Sequence, residues 1–164
     1  MPFAYYNRLT RNQKRIYRAS DDIEALTLPN RTPVARIAKE IVEALQAENQ
    51  QTTARLSADF IAEICAGLNI PRSRVRVMHK RPSDDYGELH GLYEPREGRS
   101  LAKMTVWMRT AKRSDVVAFK TFLRTLLHEL CHHLDYEYLE LEDSFHTQGF
   151  FKRESSLFNQ IIGK

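Results

Sequence analysis

The residues with the clearest chemical potential are His128, Glu129 and His132, which stand together as His-Glu-Leu-Cys-His. Histidines four positions apart lie on one face of a helix, with their Cβ atoms about 5–6 Å apart. Two imidazoles at that separation can bind one zinc ion. Glu129 lies beside the first of them, where its carboxylate can take a proton from a zinc-bound water without binding the metal. The spacing therefore predicts a zinc site with Glu129 as its general base.

A catalytic zinc ion takes three protein ligands and keeps one further position for water. Our candidate for the third ligand is His146, because a loop after the histidine pair lets the chain turn back towards the metal. Glu154 is the main alternative. The weaker alternatives are carboxylates of the same region, namely Asp135, Glu142 and Asp143.

The other histidines and the cysteines are assigned structural roles. His133 follows His132 directly and points roughly 100° away around the helix, which favours a packing or supporting role. His79 and His90 fall in predicted strands and are expected to be ordinary strand residues. Cys131 is expected to be a small buried residue.

Composition restricts the class of protein. The chain has 164 residues, of which 42% are hydrophobic and 28% charged, as in an ordinary globular protein. We expect one domain over residues 1–164. Its two cysteines form no Cys-x-x-Cys pair, which excludes a zinc finger or an iron–sulfur site built on cysteines. Few cysteines, no secretory signal and no long apolar run predict a cytoplasmic protein away from the membrane.

Helices are predicted to fill residues 11–69. Thr10 and Gln13 form a capping-box pattern before a first helix over about 11–19. Thr32 followed by proline predicts the start of a second helix that runs to about Glu48. Thr53 is the predicted cap of a third helix, which ends near residue 68.

Strands and two further helices follow. Alternating residues predict strands over 72–77, 86–94 and 101–109. The longest helix is predicted to begin at Ser114 or Asp115 and to continue to about Leu139, with a last helix over 147–161. The fold class is therefore α+β, with a small, mostly antiparallel three-stranded sheet packed on helices.

Basic residues are concentrated in two segments of a chain with a net charge of +4. Residues 1–20 are one of them. In the other, Arg72, Arg74 and Arg76 alternate along a predicted strand and so project from one face. Such a row can follow a phosphate backbone, but it also fits a solvated sheet face, so nucleic acid is a weakly supported partner.

The segment HELCHHLDYEYLELEDSFHTQGFF resembles the active-site segment of SprT-like zinc metallopeptidases, within the zincin clan. Those proteins pair HExxH with a downstream histidine, a small residue and then an aromatic one. His146 and Phe150 match that pattern, whereas Thr147 stands where glycine is usual. The resemblance implies a zincin-like fold, with His128, His132 and His146 as zinc ligands and Glu129 as general base.

These observations predict a zinc-dependent metallopeptidase that acts on a peptide or protein. Zincins pair the substrate with a strand at the edge of the cleft, and the strand over 101–109 is the candidate here, with a plain edge strand that has no such role as the alternative. Tyr93, Tyr136, Tyr138 and His90 are candidates for stabilising the oxyanion. A non-catalytic, zinc-stabilised binding module and a metallohydrolase with a non-peptide substrate are the alternatives. Glu129 favours an enzyme, because a structural site needs no acid there.

Overall fold

The computed structural model describes residues 1–163 and begins with a short 3₁₀ helix at Ala4–Arg8. Helix α1 follows at Arg11–Asp21. The predicted capping box is present: the Thr10 hydroxyl accepts from the Gln13 backbone N–H at 3.1 Å, and the Gln13 side chain accepts from the Thr10 N–H at 2.9 Å. These two bonds satisfy donors that the first turn of a helix leaves unpaired.

Helices α2 (Arg31–Gln46) and α3 (Gln50–Gly67) both begin earlier than the sequence predicted. Thr32 and its proline lie inside the first turn of α2. Asn49 caps α3, since its side chain accepts from the backbone N–H of Thr52 at 3.0 Å. Thr53, the predicted cap, instead donates its hydroxyl to the Asn49 carbonyl from inside the helix.

The sheet is mixed, and this corrects the prediction of a mostly antiparallel one. Its strands are β1 (Arg74–Lys80), β4 (Gly91–Glu94) and β5 (Lys103–Arg109), in the order β1-β5-β4. Strand β5 pairs parallel with β1 and antiparallel with β4. A parallel pair needs a crossover of about a dozen residues or more, and residues 81–102 provide it.

The predicted strand over 86–94 is divided in two. Only its last four residues join the sheet, as β4. Residues Gly87–Glu88 form β3, which pairs with β2 at Ser83–Asp84 in a separate antiparallel hairpin. The strand predicted over 101–109 is the central strand rather than an edge.

The longest helix, α4, spans Phe119–Glu137 and starts later than predicted. Ser114 has a φ of 54°, outside the helical region, and Val116 forms a β-bridge with Arg109 instead. Helix α5 spans Gln148–Ile162. Thr147 caps it by accepting from the Phe150 backbone N–H at 2.8 Å. No helix in residues 1–163 is long and apolar enough to cross a membrane.

The core lies between the helices and one face of the sheet. Strand β5 turns Met104, Val106 and Met108 inward, and all three are almost completely buried. Helix α3 packs on β1, and helix α4 packs on β4 and β5. The His-Glu-Leu-Cys-His segment of α4 faces β4, one of the two edge strands of this sheet.

Candidate metal centre

Three histidine side chains converge at the end of a cleft between α4 and β4. The Nε2 atom of His146 lies 3.1 Å from that of His128 and 3.0 Å from that of His132. Two of these rings come from successive turns of α4, and the third comes from the loop before α5. The three residues lie close enough together to hold one metal ion.

The separations fit a small tetrahedral ion. Two nitrogens bound to one zinc ion at about 2.0–2.1 Å lie roughly 3.3–3.4 Å apart when the geometry is tetrahedral, close to the observed spacing. Burial lowers the pKa of His132 to about 3, with help from the charges of His128 and His146. His132 is therefore neutral at pH 7, and its Nε2 atom has a lone pair to offer a metal.

Glu154, the alternative third ligand, occupies a supporting position instead. Its Oε1 atom lies 2.8 Å from Nδ1 of His128, the ring nitrogen that points away from the cluster. Burial lowers the pKa of His128, but this hydrogen bond and the nearby charges of Glu154 and Glu129 outweigh burial and raise it. Glu154 thereby holds a proton on Nδ1 and leaves Nε2 directed at the metal position.

His132 is held by a chain of polar groups that runs from the half-buried Ser144 to the buried Asp135 and Arg153. The Ser144 hydroxyl donates to Oδ2 of Asp135 at 2.7 Å and lies 2.7 Å from Nδ1 of His132. A hydroxyl has one proton to donate, so Ser144 must accept from Nδ1–H of His132. The other oxygen of Asp135 accepts from Arg153 at 3.0 Å. The chain fixes the tautomer that leaves Nε2 of His132 free for a metal.

Replacing Ser144 by alanine should lower zinc affinity by about 10- to 100-fold, the usual cost of losing a partner of a ligating histidine. The fold should survive, because Ser144 lies in a partly exposed loop. Zinc competition with a chromophoric chelator measures the affinity. Ser156→Ala on α5 is the matched control. Equal affinities for wild type and Ser144→Ala would show that the hydroxyl does not position His132.

The N-terminal segment fixes the loop that carries His146. The Tyr5 hydroxyl donates to the backbone carbonyl of His146 at 2.6 Å. The Phe150 ring lies under the cluster, with its centroid 4.8–5.2 Å from those of the three imidazoles. Contacts from both ends of the chain therefore position the third histidine.

Glu129 is buried beside the cluster, with 6% of its surface exposed. Burial raises the pKa of Glu129 to about 7. The charge of His128 lowers this pKa, and the charge of Glu154 raises it further. A carboxyl group with a pKa near 7 can both accept and return a proton at neutral pH. The pocket for this carboxylate exists because residue 91 is glycine: a Cβ atom there would lie 2.7 Å from Oε2 of Glu129.

Replacing Gly91 by alanine should therefore displace the Glu129 carboxylate. A displacement of about 1 Å costs about 100-fold in rate when a catalytic group is involved. Zinc content should not change, because the atoms nearest a Cβ at residue 91 belong to Glu129 and Thr125 and not to a histidine. Turnover and metal content measured on the same sample test this. Wild-type turnover in Gly91→Ala would show that Glu129 tolerates the added methyl group.

Among the oxyanion candidates, Tyr136 is the one whose hydroxyl is least committed within the cleft. His133 donates from Nε2 to the Pro71 carbonyl at 2.8 Å, so its Nδ1 atom must accept the Tyr93 hydroxyl proton. Tyr93 is thereby occupied. Tyr136 lines the cleft, and its hydroxyl donates a long hydrogen bond, 3.3 Å, to Oδ1 of Asp143. Tyr138 and His90 do not line the cleft and are largely exposed.

Glu142 and Cys131 are not among the three convergent residues. Glu142 pairs with Arg15 at 3.3 Å on the surface. Cys131 is buried, as predicted. Sequence reasoning missed Gly91, Ser144 and Arg153. A glycine within a predicted strand was the one signal available for Gly91, because such a glycine often marks a close approach.

A scan against protein-family models, a search of curated proteins and a search of solved structures found no match to this chain.

Proposed function

We propose that this protein is a zinc-dependent metallopeptidase of the SprT-like type, within the zincin clan. The observation that carries the proposal is the convergence of three histidines beside a buried carboxyl group, with Nε2 of His146 3.0–3.1 Å from those of the other two. Three nitrogen ligands leave a fourth position on a tetrahedral zinc ion, which a catalytic site requires. Glu129 supports a catalytic role because a purely structural zinc site has no use for it.

Each residue of the site has a role in this reaction. His128, His132 and His146 would hold zinc, which supplies a Lewis acid that polarises a carbonyl group and makes water more acidic. Glu129 accepts the proton of the attacking water at its carboxylate and then donates it to the leaving amine. The partners of His128 and His132 keep the Nε2 atoms aimed at the metal. The Tyr136 hydroxyl is the candidate donor to the developing oxyanion.

A peptide fits the cleft as an added strand. The cleft has a volume of about 320 Å³ and is lined by residues of β4 and α4, among them Gly91, Leu92 and Tyr93. Strand β4 lies at the edge of the sheet, so one side of its backbone is available for hydrogen bonds to an extended substrate. We therefore assign substrate pairing to β4. The strand over 101–109, which was the candidate from the sequence, is central, so both of its sides are already paired.

The test is cleavage of an unfolded protein. Zinc-loaded protein is incubated with reduced, carboxymethylated casein, and the products are identified by mass spectrometry, with and without a chelator. We expect new peptide termini that depend on zinc and are absent with His132→Ala. Zinc that exchanges water but cleaves neither casein nor a peptide library would instead support a metallohydrolase with a non-peptide substrate. Zinc closed to water and inhibitors would support a binding module.

A further inference from the structure

Two exposed phenylalanine rings lie together near the three histidines, one from helix α5 and one from the N-terminal segment. Phe151 on α5 is 39% exposed, and Phe3 is 37% exposed. Their ring centroids are 6.3 Å apart, and the ring planes meet at 79°. The two rings therefore form the walls of an open apolar corner. We call Phe3 and Phe151 the aromatic corner.

The aromatic corner adjoins two of the histidines that converge on the metal position. The Phe151 ring centroid lies 5.9 Å from that of His128 and 5.7 Å from that of His146. His146 is exposed and His128 is half-buried, so the cluster is accessible beside these rings. Successive Cα atoms of a peptide are about 3.8 Å apart. A peptide whose scissile carbonyl lies at the cluster therefore has its nearest side chains within reach of Phe151.

Packing of the core does not explain the exposed position of Phe151. The apolar residues of α5 that face the core include Phe150, Leu157 and Phe158, and all three are buried. Phe151 follows Phe150 directly, so it lies about 100° further around the helix and outside this face. A single exposed apolar residue is ordinary, whereas exposed apolar residues grouped beside a cleft are typical of a binding site.

Backbone contacts hold both rings of the aromatic corner in place. The Phe3 backbone N–H donates to the Tyr17 hydroxyl at 2.9 Å, and the Phe3 carbonyl accepts from the Tyr6 N–H at 3.0 Å. Tyr17 is 1% exposed, so this contact ties Phe3 to the interior. Phe151 lies in the first turn of α5, where its N–H donates to the Thr147 carbonyl at 3.2 Å. The corner is thus preformed, which lowers the entropy lost when a ligand binds.

We propose that the aromatic corner is a specificity subsite that accepts a large apolar side chain, aromatic or leucine-sized, next to the scissile bond. This inference rests on the proposed function, because it assigns the substrate class of the same cleft. Aromatic rings pack against one another at centroid separations of about 4.5–7 Å, and the corner presents two ring surfaces to such a partner. A polar side chain would lose its water there without gaining a hydrogen bond.

Two matched hydroxamates test the subsite without requiring turnover. Phenylalanine hydroxamate and alanine hydroxamate bind zinc through the same group and differ only by a phenyl ring. Calorimetry on zinc-loaded wild type should show about tenfold or more tighter binding of the phenylalanine compound, because even one methylene group in an apolar pocket is worth about tenfold. Phe151→Ala and Phe3→Ala should each remove most of this preference. Phe151→Leu keeps an apolar side chain and should retain much of it.

The matched control is Tyr86→Ala, which removes an aromatic ring that is 99% exposed, in the turn between β2 and β3. It should keep the wild-type preference. All variants are compared at equal zinc content, so that a disturbed metal site is not mistaken for a lost subsite. Phe3→Ala is the safer of the two deletions, because the Phe3 ring packs on Phe151 rather than on a histidine.

Cleavage of a peptide library, with the new termini identified by mass spectrometry, gives the second readout. We expect large apolar residues beside the cut in wild type and a weaker enrichment in Phe151→Ala. Equal binding of the two hydroxamates, a preference that survives both alanine variants, or enrichment of basic residues would each overturn the subsite. So would a dimer that Phe3→Ala dissociates, since the pair would then join two copies of the chain. A hydroxamate preference without any cleavage would support the subsite and contradict the peptidase.

Discussion

Replacing Glu129 by glutamine is expected to lower peptide hydrolysis by about 100- to 10,000-fold, the usual range for a general base. Glutamine has nearly the same shape but cannot take a proton from water. The zinc content should stay at the wild-type level, because Glu129 is not one of the three convergent residues. Turnover of a quenched-fluorescence peptide and metal content, measured on the same sample, separate the chemical role from metal binding.

The matched control is Glu43→Gln, the same change at an exposed glutamate on α2. It should leave turnover unchanged. If Glu129→Gln hydrolysed peptide as fast as this control, a different group would have to move the proton. If Glu129→Gln lost zinc, the carboxylate would be part of the metal site itself, and its assignment as a base would be wrong.

Replacing Arg153 by methionine is expected to lower the free energy of unfolding by about 3–5 kcal/mol, the range for removing one partner of a buried ion pair. Arg153 is 1% exposed and Asp135 is fully buried. The guanidinium donates to Asp135, to the Ser20 hydroxyl and to the carbonyls of Ser20 and Ile23. Without it, one carboxylate oxygen and two carbonyls each lose a donor inside the protein.

Unfolding should be measured in the presence of a chelator, so that metal binding does not contribute. For a chain of this size, a loss of that magnitude lowers Tm by roughly 6–20 °C. Arg55→Met is the control, because Arg55 is 65% exposed and its ion pair with Asp59 should be worth less than about 1 kcal/mol. A similar small effect for both variants would mean that the buried pair contributes little.

The double variant Arg153→Met/Asp135→Leu separates the loss of the ion pair from the loss of the other hydrogen bonds of Arg153. It removes the carboxylate that Arg153→Met leaves buried without its cation, and it should recover part of the stability lost by Arg153→Met. It should nevertheless bind zinc less tightly, because Asp135 no longer accepts from Ser144. No recovery of stability would indicate that the bonds to Ser20 and Ile23 matter more than the pair itself.

Local patterns predicted the features that depend on neighbouring residues. The Thr10 capping box and the helical face shared by His128 and His132 follow from spacings of three and four residues. The predicted start of α4, at Ser114 or Asp115, was wrong for an equally local reason. Ser114 and Asp115 have the composition of a cap, but Val116 extends the strand region by bridging to Arg109.

Long-range pairing was beyond the sequence patterns. Alternation in β1 and β5 indicated two strands but contained nothing about their relative direction, so the parallel pair was missed. Ser144 and Arg153 are also unremarkable in the sequence. Their roles arise because the loop after α4 and helix α5 bring them to Asp135, nine and eighteen residues away along the chain.

The most direct measurement is metal content by mass spectrometry, for wild type and His146→Ala purified without a chelator or a metal-binding tag. The three-histidine site predicts one zinc ion per wild-type chain and much less in the variant, because two histidines from one helix bind weakly. Full zinc in both proteins would contradict His146 as a ligand. No metal in either would contradict the zinc site, and with it the proposed peptidase.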